Sequence, residues 1–326
     1  MCEKTSMLIL VTLLVGSVLI QPALGMEYPT KPIEIVVPFA PGQAMDLVSR
    51  VVAETAPKYL GQPIVVVNKP GAAGSLAAAD VIASKPDGYK LNHASSGLFA
   101  ITVKIQKVPF DPRDLTPLVT VSVQDEGLAV RSDSPWKTLN DLLEYGKKNP
   151  GKLKWAHGGR GTRENIVGLL LFKKAGAVTI DLPHSGGTPE KLVALLGGHV
   201  DAAFLSYGLI QDHVRAGKIR VLMSTIDKKF IGPPDAPSAI ELGFPEVAKT
   251  MVFNGYFVHK DTPEGIKKIL IDAFQKTFKD PEFKKGFEKT GQLGRFEGPE
   301  FFKESIKNLE ETATPILKEL GLYIER

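Results

Sequence analysis

Four short segments combine glycine with serine, threonine or proline at points where a predicted strand is followed by a predicted helix. These segments are residues 38–46, 94–97, 157–165 and 184–189. Glycine allows the backbone to approach a ligand closely, and the free N–H groups at the start of a helix attract anions. Residues of these types at these points therefore predict a binding site for a small anion.

Ordinary turn chemistry is the alternative explanation for each segment taken alone. In that interpretation Asp46 and Thr188 only cap the N-termini of two helices. Two of the segments come from the first part of the chain and two from a later part. Four such segments, divided in this way, favour a shared site in a cleft between two α/β lobes.

Side-chain combinations that carry out catalysis or bind metals are absent from the sequence or only weakly indicated. The histidines form no i,i+4 pair and no HExxH motif, and Glu164 stands where a dinucleotide-binding loop would need a third glycine after Gly159 and Gly161. We therefore predict no metal and no cofactor. An enzyme is the alternative, with His157 or His184 as its base, but neither has a nucleophile or metal partner in the sequence.

The elements that position these segments follow from alternating patterns. The predicted strands are residues 33–37, 64–67, 89–93, 128–130, 153–156, 178–180, 202–204 and 219–221. One helix is predicted to begin at about residue 45, and a second, after the strand 64–67, is predicted to end at residue 84. Further helices are predicted over 138–148, 163–175, 188–197 and 208–216, and over nearly all of 263–320. This alternation predicts mainly parallel sheets with ligand-binding loops at the carboxyl ends of their strands.

The amino terminus predicts export from the cytoplasm. Lys4 precedes an apolar run over residues 7–20, Pro22 follows it, and residues 23–25 supply small residues for cleavage, as in a secretory signal peptide. A membrane anchor is the alternative, but the run is shorter than the ~20 residues of a spanning helix. We therefore expect residues 1–25 to be removed and the mature chain, which no longer contains Cys2, to be periplasmic.

Net charge and chain length limit the functional classes and the number of domains that the protein can have. The net charge of +4 comes from 40 basic and 36 acidic residues spread along the chain. Because no basic block is interleaved with aromatic residues, nucleic-acid binding is not expected. The length favours two domains.

Several motifs give the chain a family likeness. They are residues 28–33, 36–39, Pro41-Gly42 with Asp46, 61–74, 86–89, 109–112, 161–162, 183–187, 195–201 and 216–220, in this order. The sequence resembles the tripartite tricarboxylate transporter receptors, also called Bug receptors, over nearly all of the mature chain. The resemblance implies a type II periplasmic-binding-protein fold of the α/β class, with a ligand cleft between two lobes.

The resemblance also implies a function and its partners. A small organic acid would be held by backbone amides and hydroxyl groups, and integral membrane permease subunits would recognise the loaded, monomeric protein. A ligand-sensing subunit or an enzyme acting on a carboxylated metabolite stays open as an alternative. We expect a first lobe of residues 27–124 plus 226–326 and a second lobe of residues 125–225.

The predicted ligand-binding residues come from the four segments and from one position after a later strand. They are Phe39, Ala40, Pro41, Gly42, Gln43, Ala44, Met45, Asp46, Ser95, Ser96, His157, Arg160, Gly161, Thr162, Arg163, Ser185, Gly186, Gly187 and Tyr207. Three features depart from the family pattern. Gln43 replaces a common second glycine, the third segment carries Arg160, Arg163 and Glu164, and Tyr207 stands where acidic or amide residues are frequent. The two arginines are predicted either to clamp a carboxylate or to form a solvated basic patch.

Overall fold

Two mixed β-sheets organise the chain in a computed structural model that describes residues 27–124, 126–226 and 236–325. The predicted signal peptide lies outside these residues. The strands are β1 Ile33–Val37, β2 Ile64–Asn68, β3 Lys90–Ser95, β4 Leu115–Val123, β5 Glu126–Arg131, β6 Lys154–His157, β7 Ile180–Pro183, β8 Ala202–Ser206, β9 Ile219–Ser224, β10 Phe253–His259 and β11 Leu293–Glu297. One sheet has the order β11-β4-β10-β3-β1-β2 and the other β7-β6-β8-β5-β9.

Helices cover both sheets and connect most of the strands. They are α1 Ala44–Thr55, α2 Pro57–Leu60, α3 Ser75–Ile82, α4 Val103–Ile105, α5 Leu139–Lys148, α6 Arg163–Lys174, α7 Gly187–Leu196, α8 Tyr207–Arg215, α9 Pro245–Ala248, α10 Glu264–Lys279, α11 Pro281–Lys289 and α12 Pro299–Glu319. A π-helical segment, Leu98–Thr102, leads into α4. Each sheet with its helices forms one lobe, so the predicted two-lobed α/β fold is confirmed.

The prediction of mainly parallel sheets is wrong. Five of the nine strand pairings are antiparallel. The sequence patterns missed β4, β10 and β11, and the supposedly helical tail contains β11. Pro117 interrupts β4, and Asn254 and Gly255 interrupt β10. Such residues are depleted in strands, so these three elements are specified by pairing with each other rather than by local propensity.

The connections between the lobes lie close together. All strands of the six-stranded sheet fall within residues 27–124 and 226–326, and those of the five-stranded sheet within 125–225. The crossing segments are hydrogen-bonded to each other, since Gln124 N donates to Val252 O and Thr225 N donates to Glu126 O. These hydrogen bonds hold the segments that cross between the lobes next to one another.

Two segments assigned to the first lobe by prediction also contact the second. Ser238 forms a β-bridge with Ser224, and α9 packs against α6. Helix α12 begins over the first sheet, where Phe302 packs on Phe257, and its last turns join the hydrophobic cluster that contains Trp155. The predicted boundary at residue 226 stays a prediction, because residues 227–235 lie outside the described chain.

His93 on β3 gives the first lobe a pH-dependent stability. Its Nδ1 lies 2.8 Å from Ser49 Oγ and its ring packs on Tyr256. Burial lowers the pKa of His93 from 6.5 to about 3. At pH values between these two pKa values, the unfolded chain binds the proton more readily than the folded chain. The contribution of His93 to the free energy of unfolding is therefore fully present above the unfolded pKa and is lost as the pH falls. We expect His93 to account for a loss of about 2 kcal/mol between about pH 7 and pH 5.

Urea unfolding at the two pH values measures this loss in the wild type and in the non-titrating His93→Gln variant. The variant should lose about 2 kcal/mol less than the wild type. Burial also lowers the pKa of His157, but that residue is present in both proteins and its contribution cancels. Equal losses in the two proteins would contradict the assignment.

Candidate functional site

A cavity lies between the two lobes, where the loops that follow β1, β3, β6, β7 and β8 converge. It holds about 110 Å³. One water molecule needs ~10–15 Å³, so the cavity has room for a small molecule of about ten non-hydrogen atoms. The loops predicted from the sequence therefore meet at one cavity of metabolite size, which is partly open to solvent.

The structure brings about half of the predicted binding residues to the cavity wall. Those that line it are Phe39, Gln43, Ala44, Met45, Ser95, Gly161, Thr162, Arg163, Ser185 and Gly187. Those that do not line it are Ala40, Pro41, Gly42, Asp46, Ser96, His157, Arg160, Gly186 and Tyr207. Contact of any of these residues with a ligand stays a prediction.

Asp46 holds the first loop in place instead of facing the cavity. Its carboxylate accepts hydrogen bonds from Gly42 N at 2.8 Å, Arg50 Nε at 3.0 Å and Asn68 Nδ2 at 2.9 Å. Burial alone would raise the pKa of Asp46, but these hydrogen bonds and the charge of Arg50 lower it. The Gly42 N–H is thus used inside the loop. The first-turn N–H groups of Ala44 and Met45 have no intrahelical carbonyl partner and lie at the wall.

Several backbone N–H and C=O groups of the third loop, residues 157–165, form hydrogen bonds within the loop. Thr162 caps α6 by accepting from Asn165 N, and its hydroxyl donates to Gly159 O at 2.8 Å. Gly161 N donates to Asn165 Oδ1 at 3.3 Å. The Gly161 carbonyl accepts from Thr102 Oγ1, on the other lobe, at 3.2 Å. Gly161 and Thr162 therefore shape the wall, while the N-terminus of α6 behind them supplies a positive dipole end.

Arg163 is not part of a solvated basic patch, and its contact with a ligand carboxylate stays a prediction. The side chain is buried, with Nε 2.6 Å from Thr250 O, Nη1 3.2 Å from Glu126 Oε2 and 2.7 Å from Thr225 Oγ1, and Nη2 2.8 Å from Thr225 O. Burial lowers the pKa of Arg163, and Glu126 opposes this effect. The guanidinium thus joins the segments that cross between the lobes. Arg160 is exposed and lies off the wall.

The two histidines considered as bases are both engaged and both off the cavity wall. His157 Nδ1 accepts from Gly159 N at 3.1 Å, and Nε2 lies 3.1 Å from Asp181 Oδ2. The Gly159 N–H favours the tautomer with the proton on Nε2, which also lies 3.4 Å from Asn165 Nδ2. His184 Nδ1 lies 3.2 Å from Glu190 Oε1. Neither histidine is among the residues that line the cavity in this structure.

Three further predicted residues have other positions. Ser96 Oγ accepts from Phe253 N at 3.1 Å and fixes the start of β10. Gly186 N donates to Glu190 Oε2 at 2.7 Å, within the fourth loop. Tyr207 lines a different groove, on the second lobe, together with Arg220. The Ser96 hydroxyl and the Gly186 amide are thus hydrogen-bonded to protein groups, and Tyr207 lies outside the cavity.

Ionised side chains on the cavity wall are paired with one another or with groups behind the wall. Arg163 is paired with Glu126, and Glu164 accepts from Lys191 and from Gly158 N. The remaining positive character comes from the N-termini of α1, α6 and α7, which begin at the wall. Helix N-termini favour a bound anion by their dipoles and first-turn N–H groups. The arrangement therefore suits a small anion.

Sequence reasoning missed a group of side-chain amides at the cavity. Gln124, Asn254 and Gln292 line it, and Gln292 Nε2 donates to Ser206 Oγ on the other lobe at 3.2 Å. Asn254 and Gln292 lie on or next to the unpredicted strands β10 and β11, so no sequence signal identified them. The other wall residues not predicted are Ala73, Gly97, Thr102, Glu126, Gly158, Glu164, Thr188, Ser206, Leu209 and Val252. Gly97, Gly158, Glu164 and Thr188 belong to the four segments and were within reach of the prediction.

Residues 27–124, 126–226 and 236–325 contain neither a candidate metal cluster nor a candidate membrane-spanning helix. Within these ranges, no cluster of three or more histidine, cysteine, aspartate or glutamate side chains is arranged to hold a metal ion. No helix in the same ranges has both the length and the apolar composition for crossing a membrane.

Comparisons with known proteins agree on one kind of protein. The sequence profile of the family described as "Tripartite tricarboxylate transporter family receptor" matches residues 48–322. A relative from Cupriavidus necator, "UPF0065 protein in gbd 5'region", is 31% identical over 297 residues, 91% of this chain and 88% of its own. The solved structure of the periplasmic binding protein BugD has a TM-score of 0.80 and 26% identity, covering 91% of this chain and 100% of its own. MatC from Rhodopseudomonas palustris, with bound malate, has a TM-score of 0.77 and 28% identity, covering 87% and 99%.

Proposed function

Because this chain belongs to the tripartite tricarboxylate transporter receptor family, we propose that it captures one small carboxylate in the periplasm and releases it unchanged. In that role it is the solute-binding protein of a tripartite tricarboxylate-type secondary transporter. The observation that carries the proposal is the cavity between the lobes, at which three helices begin with their N-termini. A carboxylate there would receive backbone N–H groups and favourable dipoles without a dedicated cation.

Several features support binding without chemistry. MatC, which resembles this chain in fold and sequence, contains bound malate, and a molecule of that kind matches the size of the cavity. His157 and His184 lie off the wall, with both ring nitrogens of His157 and Nδ1 of His184 in contact with protein groups. A catalytic base needs hydrogen-bond reach to the proton it abstracts. We therefore propose a receptor and not an enzyme.

The location and partners follow from the same role. The apolar run over residues 7–20, followed by small residues, supports export by a cleaved signal peptide. We propose that integral membrane permease subunits receive the ligand from the closed, monomeric protein. Closure would be favoured only by contacts that the open form lacks, and contacts such as Gln292–Ser206 join the lobes here.

A thermal-shift screen of mono-, di- and tricarboxylates tests the proposal. A ligand present at about 100 times its Kd should stabilise the protein by about 2.7 kcal/mol. We expect at least one small carboxylate to raise the melting temperature, and matched neutral esters to leave it unchanged. Incubation of the binding acid with protein, followed by mass spectrometry, should return it intact. A screen with no stabilising acid, or a changed acid, would contradict the proposal.

A further inference from the structure

Two side chains that meet at one carboxylate hold the backbone of the third loop. Asp181 Oδ2 lies 3.1 Å from His157 Nε2 and 3.5 Å from Asn165 Nδ2. The far end of each side chain accepts a hydrogen bond from the loop. His157 Nδ1 accepts from Gly159 N at 3.1 Å, and Asn165 Oδ1 accepts from Gly161 N at 3.3 Å. Asp181, His157 and Asn165 are named the loop anchor.

The loop anchor shapes the cavity wall without lying on it. Gly158, Gly161 and Thr162 line the cavity, whereas none of the three anchor residues does. The two anchored glycines, Gly159 and Gly161, have positive φ values of 133° and 83°. Glycine permits many backbone conformations, so hydrogen bonds from outside the glycine run are needed to select one. The loop anchor therefore determines where this part of the wall lies.

His157 is the member of the loop anchor that changes charge near neutral pH. Its side chain is 1% exposed, and its ring packs on Trp155 with 5.1 Å between the ring centroids. Burial lowers the pKa of His157, so the ring is neutral at pH 7. A second proton would turn Nδ1 from an acceptor into a donor that faces the Gly159 N–H. The protonated ring thus loses its hold on the loop.

The charged groups around His157 come from three elements. Asp181 on β7 and Glu164 on α6 favour the protonated ring, and Lys191 on α7 is paired with Glu164. His184 follows β7 and contacts only the His157 carbonyl, through its backbone N–H. Strand β8 adds no titratable side chain. A charge on His157 would act on a ligand only from behind the loop, whereas the two facing N–H groups would lie 3.1 Å apart. The effect on the loop should therefore prevail.

We propose that His157 is a positioning residue whose neutral ring holds the third loop in its ligand-binding shape, so that acidification weakens carboxylate binding. This inference rests on the proposed receptor function. Because the binding-competent form carries the neutral ring, affinity is complete at pH values where His157 is unprotonated and falls as protonation begins.

Nuclear magnetic resonance of the free protein tests the loop anchor without a ligand. Between pH 7.5 and 5.0, the backbone amide signals of Gly159 and Gly161 should shift along the same titration curve as the His157 ring. His157→Gln has a side chain that does not titrate, and its two glycine signals should lose this curve. His199→Gln, at an exposed histidine of the same lobe that lies off the wall, is the matched control and should keep it.

Calorimetric titration with malate, succinate and citrate measures the effect on binding at pH 7.5 and 5.0. For an acid that binds, the wild type should lose about threefold more affinity on acidification than His157→Gln. Protonation of the acid itself affects both proteins and cancels. His199→Gln should behave like the wild type.

The outcomes separate this inference from the receptor function. An equal loss in the wild type and in His157→Gln, or a smaller loss in the wild type, would overturn the inference and leave the receptor function intact. Glycine signals that do not follow the His157 ring in the wild type would also overturn it, even if the variant did not fold. Failure of every acid in the thermal-shift screen would instead overturn the receptor function, and the glycine signals would still test the loop anchor.

Discussion

Replacing Arg163 by alanine should lower the free energy of unfolding by about 3–5 kcal/mol, the range for breaking one side of a buried ion pair. The substitution removes the guanidinium that donates to Glu126, Thr225 and Thr250. Those partners lie on the segments that cross between the lobes. We therefore expect both lobes to unfold at a lower urea concentration, as measured by circular dichroism.

Two further variants make the result specific. Arg160→Ala changes an exposed arginine of the same loop and should change stability by no more than about 0.5 kcal/mol. Adding Glu126→Gln to Arg163→Ala removes the carboxylate charge that Arg163 had paired and should recover part of the loss. If Arg163→Ala were as stable as Arg160→Ala, the buried network would not stabilise the protein as described.

Replacing Gly208 by valine should weaken ligand binding about 10- to 100-fold, because the lobes could no longer meet. Gly208 on α8 faces Gly291 of the other lobe, and a Cβ on Gly208 would lie 1.8 Å from the Gly291 carbonyl oxygen. The added side chain overlaps backbone atoms, and overpacking of this kind costs about 1–3 kcal/mol. The cost applies only to the closed form, so the free protein should keep its stability.

Calorimetry gives the affinity, and small-angle scattering gives the shape. At saturating ligand the Gly208→Val protein should keep a larger radius of gyration than the liganded wild type. Gly298→Ala is the matched control, because no atom lies within 4 Å of a Cβ at that position. If Gly208→Val bound the ligand with wild-type affinity, the close approach of Gly208 to Gly291 would not be required for binding.

The local parts of the site could be predicted from the sequence because their causes act over a few residues. Thr162 caps α6 from one position before it, and Gly187 adopts a positive φ of 72° at the start of α7. A β-branched run such as Ile33–Val37 specifies a buried strand wherever it packs. The four loops and the lobes that hold them therefore followed from local patterns, supported by the family resemblance.

The roles of the charged side chains could not be predicted, because distant residues decide them. Arg163 had the right type for a carboxylate clamp, but Thr225 and Thr250 use its donors. Asp46 had the right type for a loop ligand, but Asn68 and the Gly42 N–H occupy its oxygens. An ionised group that is removed from water needs partners, and here the nearest partners belong to the protein.

The mixed pairing of the sheets and the amide groups of the cavity were likewise decided by tertiary structure. Strand β10 carries Asn254 and pairs with β3 and β4, far away in the chain, so a weak local strand pattern is compensated by long-range hydrogen bonds. Gln43 was noticed in the sequence only as a departure from a family pattern. The position of the Gln43 side chain depends on Gly187, which belongs to the other lobe. Sequence thus determined four of the backbone segments that meet at the cleft, and three-dimensional packing decided the others and which side chains remain available to a ligand.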